Sequence, residues 1–212
     1  MKKTDHYEQW CEEWRQRFLA EDVEELRRKI PELEDRGDAL SICHFGRRYL
    51  IRKDTGEILA QDGTEPMRYQ VKLNIYTLFG YVQKGASLRG QWVPFSELPH
   101  SRPFVPAFQK GIVEAFAGTF AGHVLELRTA YERIGGKTLP FSDAGGEIYG
   151  FDCIPMRCFF WDRDEEFDAS ANLLFDAGAS DFIHIESIVT IAGEGIRRLA
   201  EAAGLPENPR LY

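Results

Sequence analysis

The stretch "FWDRDEEFDASANLLFD", Phe160 to Asp176, decides how the last third of the chain folds. Its flanks, "MRCFFW" (156–161) and "NLLF" (172–175), carry the aromatic and aliphatic residues that favour strands. Between them "DRDEEFD" is charged. Two apolar segments interrupted this way read as a hairpin with a polar, water-facing connection. "EIYGF" (147–151) supplies a further strand just upstream.

Working outward, the period of the apolar residues changes several times. Tyr7, Trp10, Cys11, Trp14 and Phe18 fall on one face of an amphipathic helix. Asp22 and Glu25 form a capping pair for a second short helix, which Pro31 ends. "ALSICHF" (39–45), "RYLIR" (48–52) and the strand after the turn at Asp54, Thr55 and Gly56 read as an antiparallel meander. Val71, Ile75, Leu78, Phe79 and Val82 return to helical spacing, and "GQWVPFSELPH" (90–100) is a brief extended segment. Helical periodicity runs from Phe104 to Ile134. Gly111, Gly118 and Gly122 interrupt it, which predicts two helices, or one bent near Gly118, stopped by Gly135-Gly136. Ile185, Ile188, Val189, Ala192, Ile196 and Leu199 build one face of a closing helix, with Ile191 off that stripe.

Segregated helices and strands predict an α+β fold: an antiparallel sheet built from a meander and a C-terminal hairpin, packed against several helices. The expected organisation is an N-terminal helical region (1–36), an α+β domain (37–205) and a tail (206–212). The hydrophobic fraction of 43% gives this chain of 212 residues enough apolar material for a sizeable core. The net charge of −8 and the lack of a basic stripe argue against a nucleic-acid partner. No stretch approaches the roughly 20 apolar residues of a membrane helix, and the start is not a signal peptide. The expectation is a soluble, cytoplasmic protein with no membrane partner and with reduced thiols. Cys153 and Cys158 form one loose pair, where a structural zinc site takes two.

Candidate site residues come from the acidic connection and its surroundings. Asp162, Asp164, Glu165 and Glu166, with His184 and Glu186 downstream, are the residue types that hold a hard cation. Their spacing does not match a calcium loop, and a solvated turn with an ordinary helix-terminal histidine explains them equally well. Trp92, Trp161, Glu166 and Asp176 are candidate ligand-binding residues, two indoles lining an apolar pocket and two carboxylates anchoring within it. Asp176 lies either at the mouth of the hairpin or at its far end, depending on register. Nucleophile elbows, P-loops and dinucleotide fingerprints are missing from the sequence, so no catalytic residue and no cofactor is assigned.

The joint pattern of Trp161, Asp164, Glu165, Glu166, Phe167, Ala169, Ser170, Leu174, Phe175, Asp176 and Glu186, with Gly90, Trp92 and Phe95 upstream, resembles the domain of unknown function 3786 family. Gly135-Gly136 and Pro155 also fit, and the resemblance spans about residues 40 to 200. It implies an uncharacterised protein of anaerobic bacteria and archaea, associated through some relatives with corrinoid and one-carbon metabolism. This chain lacks the cysteine-rich segment those relatives carry. The leading expectation is therefore an accessory protein binding a small molecule, a cofactor or a protein partner. The alternatives are a carboxylate enzyme, metal-assisted or metal-free, and a structural protein whose N-terminal helix presents Trp10 and Trp14 to a partner chain or a second copy.

Overall fold

A computed structural model describes residues 3–63 and 67–211, with side chains from residue 7 onward. Residues 1 and 2 of the N-terminal region and Tyr212 of the tail lie outside it. Helices α1 (Lys3–Leu19) and α2 (Val23–Lys29) open the chain. Asp22 caps α2 by accepting from the backbone N–H groups of Glu24 and Glu25 at 2.8 and 3.1 Å.

Four strands follow in sequence order: β1 (Glu34–Asp35), β2 (Ala39–His44), β3 (Arg47–Arg52) and β4 (Ile58–Ala60). Strands β2, β3 and β4 are the expected antiparallel meander, and β1, which the sequence pattern does not predict, pairs with β2 at its edge. The β2–β3 turn places Phe45 and Gly46 at positive φ, 48° and 73°, the backbone a tight hairpin needs. Helix α3 (Tyr69–Tyr81) and the short strand β5 (Trp92–Pro94) come next.

The helical stretch is more broken than its periodicity predicts. A 3-10 turn (Arg102–Phe104) leads into α4 (Val105–Phe108), a π-helical turn (Gln109–Val113) and α5 (Glu114–Phe120). Helix α6 (Val124–Arg133) starts after a break at Gly122, which has φ 81°. The bend therefore falls at Gly122, while Gly118 continues helically inside α5, because only Gly122 must adopt a left-handed conformation.

Strands β6 (Lys137–Leu139), β7 (Ala144–Phe151), β8 (Ile154–Trp161) and β9 (Ser170–Asp176) join β5 in a second antiparallel sheet, ordered β5-β9-β8-β7-β6. The α+β class stands. The meander and the hairpin centre separate sheets, which meet where the Phe45 N–H donates to the Tyr149 carbonyl at 3.1 Å. The hairpin register pairs Trp161 with Ser170 and Met156 with Phe175. Asp176 is therefore at the far end of the hairpin, roughly 20 Å from the acidic connection at a strand rise of about 3.3 Å per residue.

Helix α7 (Ala179–Phe182) leads into α8 (Ile185–Ala203), the axis of the molecule. A single buried stripe does not describe α8. Ile191, off the predicted face, is 0% exposed, and Glu194, Arg197 and Arg198 are buried with it. The backbone comes close to its surroundings: a Cβ at Gly195 would lie 2.9 Å from the Phe45 ring. Helix α1 packs on α3, where Trp14 covers Gly80. No described helix is long and apolar enough to cross a membrane.

Candidate functional site

The acidic connection is held at its base and open at its tip. Asp162 accepts from the Gly122 N–H at 2.8 Å, and its own N–H donates to Asp143 at 2.8 Å, tying the loop to the α5–α6 break and to the β6–β7 turn. Asp164 folds back on the loop itself, accepting from the N–H groups of Glu166 and Phe167 at 2.8 Å each, which holds its carboxyl below the ordinary range. Glu165, Glu166 and Asp168 are exposed, and Phe167 is 70% exposed. His184 and Glu186 lie on α8, away from this loop. Among the described residues, no three of the His, Cys, Asp and Glu side chains lie close enough together to hold a metal ion.

Trp92 and Trp161 share the outer face of the five-stranded sheet, the side opposite Met156, Cys158 and Phe160. Arg157 lies over the Trp92 ring, 4.0 Å from its centroid. Arg157 also donates to Glu147 at 2.9 Å, and Lys137 approaches the same carboxylate at 2.9 Å. Burial of Glu147 opposes its ionisation, but the hydrogen bonds from Lys137, Arg157 and Tyr149 outweigh it and hold the carboxyl low. Trp161 is 43% exposed at the end of a file of rings with Phe159 and Phe141. The two indoles thus decorate one sheet face six residues of strand apart, Trp92 opposite Asp176 and Trp161 opposite Ser170. Asp176 is buried, and its carboxylate is saturated by the N–H groups of Arg89, Gly90 and Gly178 at 2.7–2.8 Å. It pins the loop before β5, and Glu166 does not approach it.

The thiols are packing groups. Burial pushes Cys158 up to about 12 and Cys11 to about 11.

A different region gathers the features of a binding site. Helix α1 stands on α3 as a ridge between two hollows. The larger, about 870 Å³, faces β4, and its rim carries the ion pairs Arg15–Glu12 and Arg68–Glu207. The smaller, about 550 Å³, lies between α1, α3 and α8. Its floor is a row of buried polar side chains on α3: Gln70, Asn74 and Thr77, at 4%, 1% and 7% exposure. The i, i+4, i+7 spacing puts them on one helical face. Rings stand at both ends, Tyr7 stacked on Tyr69 at 4.4 Å and Trp14 and His184 against Tyr81 at 5.2 Å each. From Tyr69 to Tyr81 the helix rises about 18 Å at ~1.5 Å per residue.

His184 and Glu186 line this groove. His184 caps α8, its Nδ1 accepting from the Glu186 N–H at 3.3 Å, and Glu186 sits in the first turn of that helix.

Behind the floor the polar contacts continue inward. Asn74 Nδ2 lies 3.3 Å from Nε2 of the fully buried His44, whose Nδ1 lies 2.5 Å from the Gly150 carbonyl. Beyond His44, Glu194 binds Arg197 at 2.7 Å and Arg198 at 2.8 Å, and Arg198 donates to the Tyr49 hydroxyl at 2.6 Å. Burial works to raise the Glu194 carboxyl, but its arginine partners overcome it and keep it low. Sequence reading missed this set. The available signal was "QVKLNIYTLF" (70–79), where polar Gln70, Asn74 and Thr77 interrupt an otherwise apolar helix at core spacing.

No curated protein and no solved structure matches the chain. A family model described as Domain of unknown function (DUF3786) matches residues 22–198, most of the chain, and the protein belongs to that family.

Proposed function

We propose that the protein is an accessory protein that binds a small molecule in the groove between α1, α3 and α8. The observation that carries this reading is the row of Gln70, Asn74 and Thr77, buried polar groups that open onto a ring-lined hollow of about 550 Å³. Small-molecule sites have that make-up: mostly apolar and aromatic walls, a few placed polar groups, and a volume of roughly 300–1,000 Å³.

The carboxylate-enzyme alternative has less support, because Glu166 is exposed and Asp176 is saturated at the other end of the hairpin. The partner-helix alternative is weakened by α1 packing on its own α3. Four free thiols support a reducing, cytoplasmic setting. The connection to anaerobic, corrinoid or one-carbon metabolism comes from the family resemblance alone.

The test is a titration of a panel of small metabolites followed by tryptophan emission, since Trp10 and Trp14 line the groove. Ligands found this way should lose affinity at least tenfold in Trp14→Ala and in Thr77→Val. Ligands that bind both variants as tightly as the parent would place the site elsewhere.

A further inference from the structure

The polarity of the groove selects among ligands. The contacts of His44 constrain the orientation of Asn74. A ring nitrogen 2.5 Å from the Gly150 carbonyl must bring the proton to that contact, so Nδ1 is the N–H of His44. With the ring neutral, Nε2 is then the acceptor for the Asn74 Nδ2–H at 3.3 Å. This turns the remaining amide atom, Asn74 Oδ1, away from His44 as an acceptor. Thr77 spends its only hydroxyl proton on the Leu73 carbonyl at 2.7 Å, so its oxygen too offers only lone pairs.

The walls and rim have the same sign. The faces of Trp14, Tyr69 and Tyr81 carry the negative side of the aromatic quadrupole. Glu13 on α1 and Glu186 on α8 are exposed carboxylates lining opposite walls. The basic side chain in the lining, Arg17, itself lies over the Trp14 ring at 4.4 Å, using one face of that indole as a cation platform.

We infer that the groove takes a small organic cation, an alkylated ammonium group held over the rings, with hydrogen-bond donors meeting Asn74 Oδ1 and Thr77 Oγ1. The inference rests on the binding role proposed above and adds the ligand class to it. A ring-faced site favours such a group because an ammonium bearing alkyl substituents is weakly hydrated and gains from π faces what it loses in water. An anion would meet lone pairs, ring faces and carboxylates, against the guanidinium of Arg17.

Three probes of one shape separate the possibilities: choline, its uncharged isostere 3,3-dimethylbutan-1-ol, and the anion 3,3-dimethylbutanoate. They are titrated into the full chain at constant ionic strength, with calorimetry and tryptophan emission as readouts. Choline should bind about tenfold more tightly than the alcohol, and the carboxylate least. The double variant Glu13→Gln/Glu186→Gln, altered only at exposed positions, should weaken choline several-fold and leave the alcohol unchanged. Equal binding of choline and alcohol, or a preference for the carboxylate, overturns the cation class while leaving a ligand groove in place. Silence from all three probes overturns the cation class and removes support from the groove as well, since the alcohol tests its apolar walls alone.

Discussion

The indole of Trp14 lies directly on the backbone of Gly80: a Cβ added at position 80 would sit 2.4 Å from Cζ3 of the ring. That contact sets the height of α1 above α3 and hence the width of the groove beside it. Gly80→Ala forces the indole outward. We expect a loss of about 1–3 kcal/mol in urea unfolding, the usual cost of overpacking, together with a red-shifted tryptophan emission. A fully tolerated alanine would show that α1 does not rest on this point.

Asn74 and His44 form the second contact that determines the groove. Asn74→Leu keeps the volume but removes the amide and its contact with the buried His44 ring. A cost of about 1–3 kcal/mol is expected. Guanidinium unfolding of the variant at pH 7 measures it.

Glu194 makes stability depend on pH. Its carboxyl is held below the ordinary glutamate range in the fold, so the unfolded chain takes up its proton at higher pH than the folded one does. The stabilisation is complete above the ordinary glutamate value, ~4.3, and disappears as pH falls through the lower folded value. Glu194→Gln removes the buried carboxylate that Arg197 and Arg198 share and should cost about 3–5 kcal/mol at neutral pH. The gap between parent and variant should narrow as the pH drops below 4. A gap independent of pH would mean the carboxylate charge plays no part.

Asp176 ties three backbone N–H groups with one carboxylate. Asp176→Ala should lower stability by about 2–3 kcal/mol, on the scale of hydrogen bonds to a charged group. Amide hydrogen exchange should accelerate at Arg89 and Gly90 before it does elsewhere. The exposed tip behaves oppositely: Glu165→Ala and Glu166→Ala should each change stability by less than about 0.5 kcal/mol.

The thiols give a fifth measurement. Cys153 and Cys158 are buried, and burial raises both well out of the reactive range. In the native protein, Ellman's reagent at pH 7.5 should reach Cys43 first, the half-buried one of the four. Cys153 and Cys158 should react only on unfolding. Fast labelling at Cys158 would mean that the five-stranded sheet opens readily.

Local pattern made the strands, the capping of α2 and the break in the long helical stretch readable, because each depends on residues close in sequence. The hairpin was legible as two strands but not in register, since nothing near Asp176 says which partner residue it meets. The acidic connection drew attention because charge is conspicuous in a sequence, yet water accounts for most of it. The groove was hidden for the opposite reason. Gln70, Asn74 and Thr77 are ordinary letters, and their meaning depends on His44 and α8, brought to them by folding over long separations. Ile191 misled in the same way, since a stripe model assumes that a helix has a wet side, and α8 has almost none.

That central helix has a consequence for synthesis. Residues 185–203 leave the ribosome after α3 and after every described strand of both sheets, yet these elements lean on them. Until they emerge, the nascent protein displays greasy surface with no native cover. Chaperone capture during translation should therefore persist through the strands and fall once this segment clears the exit tunnel.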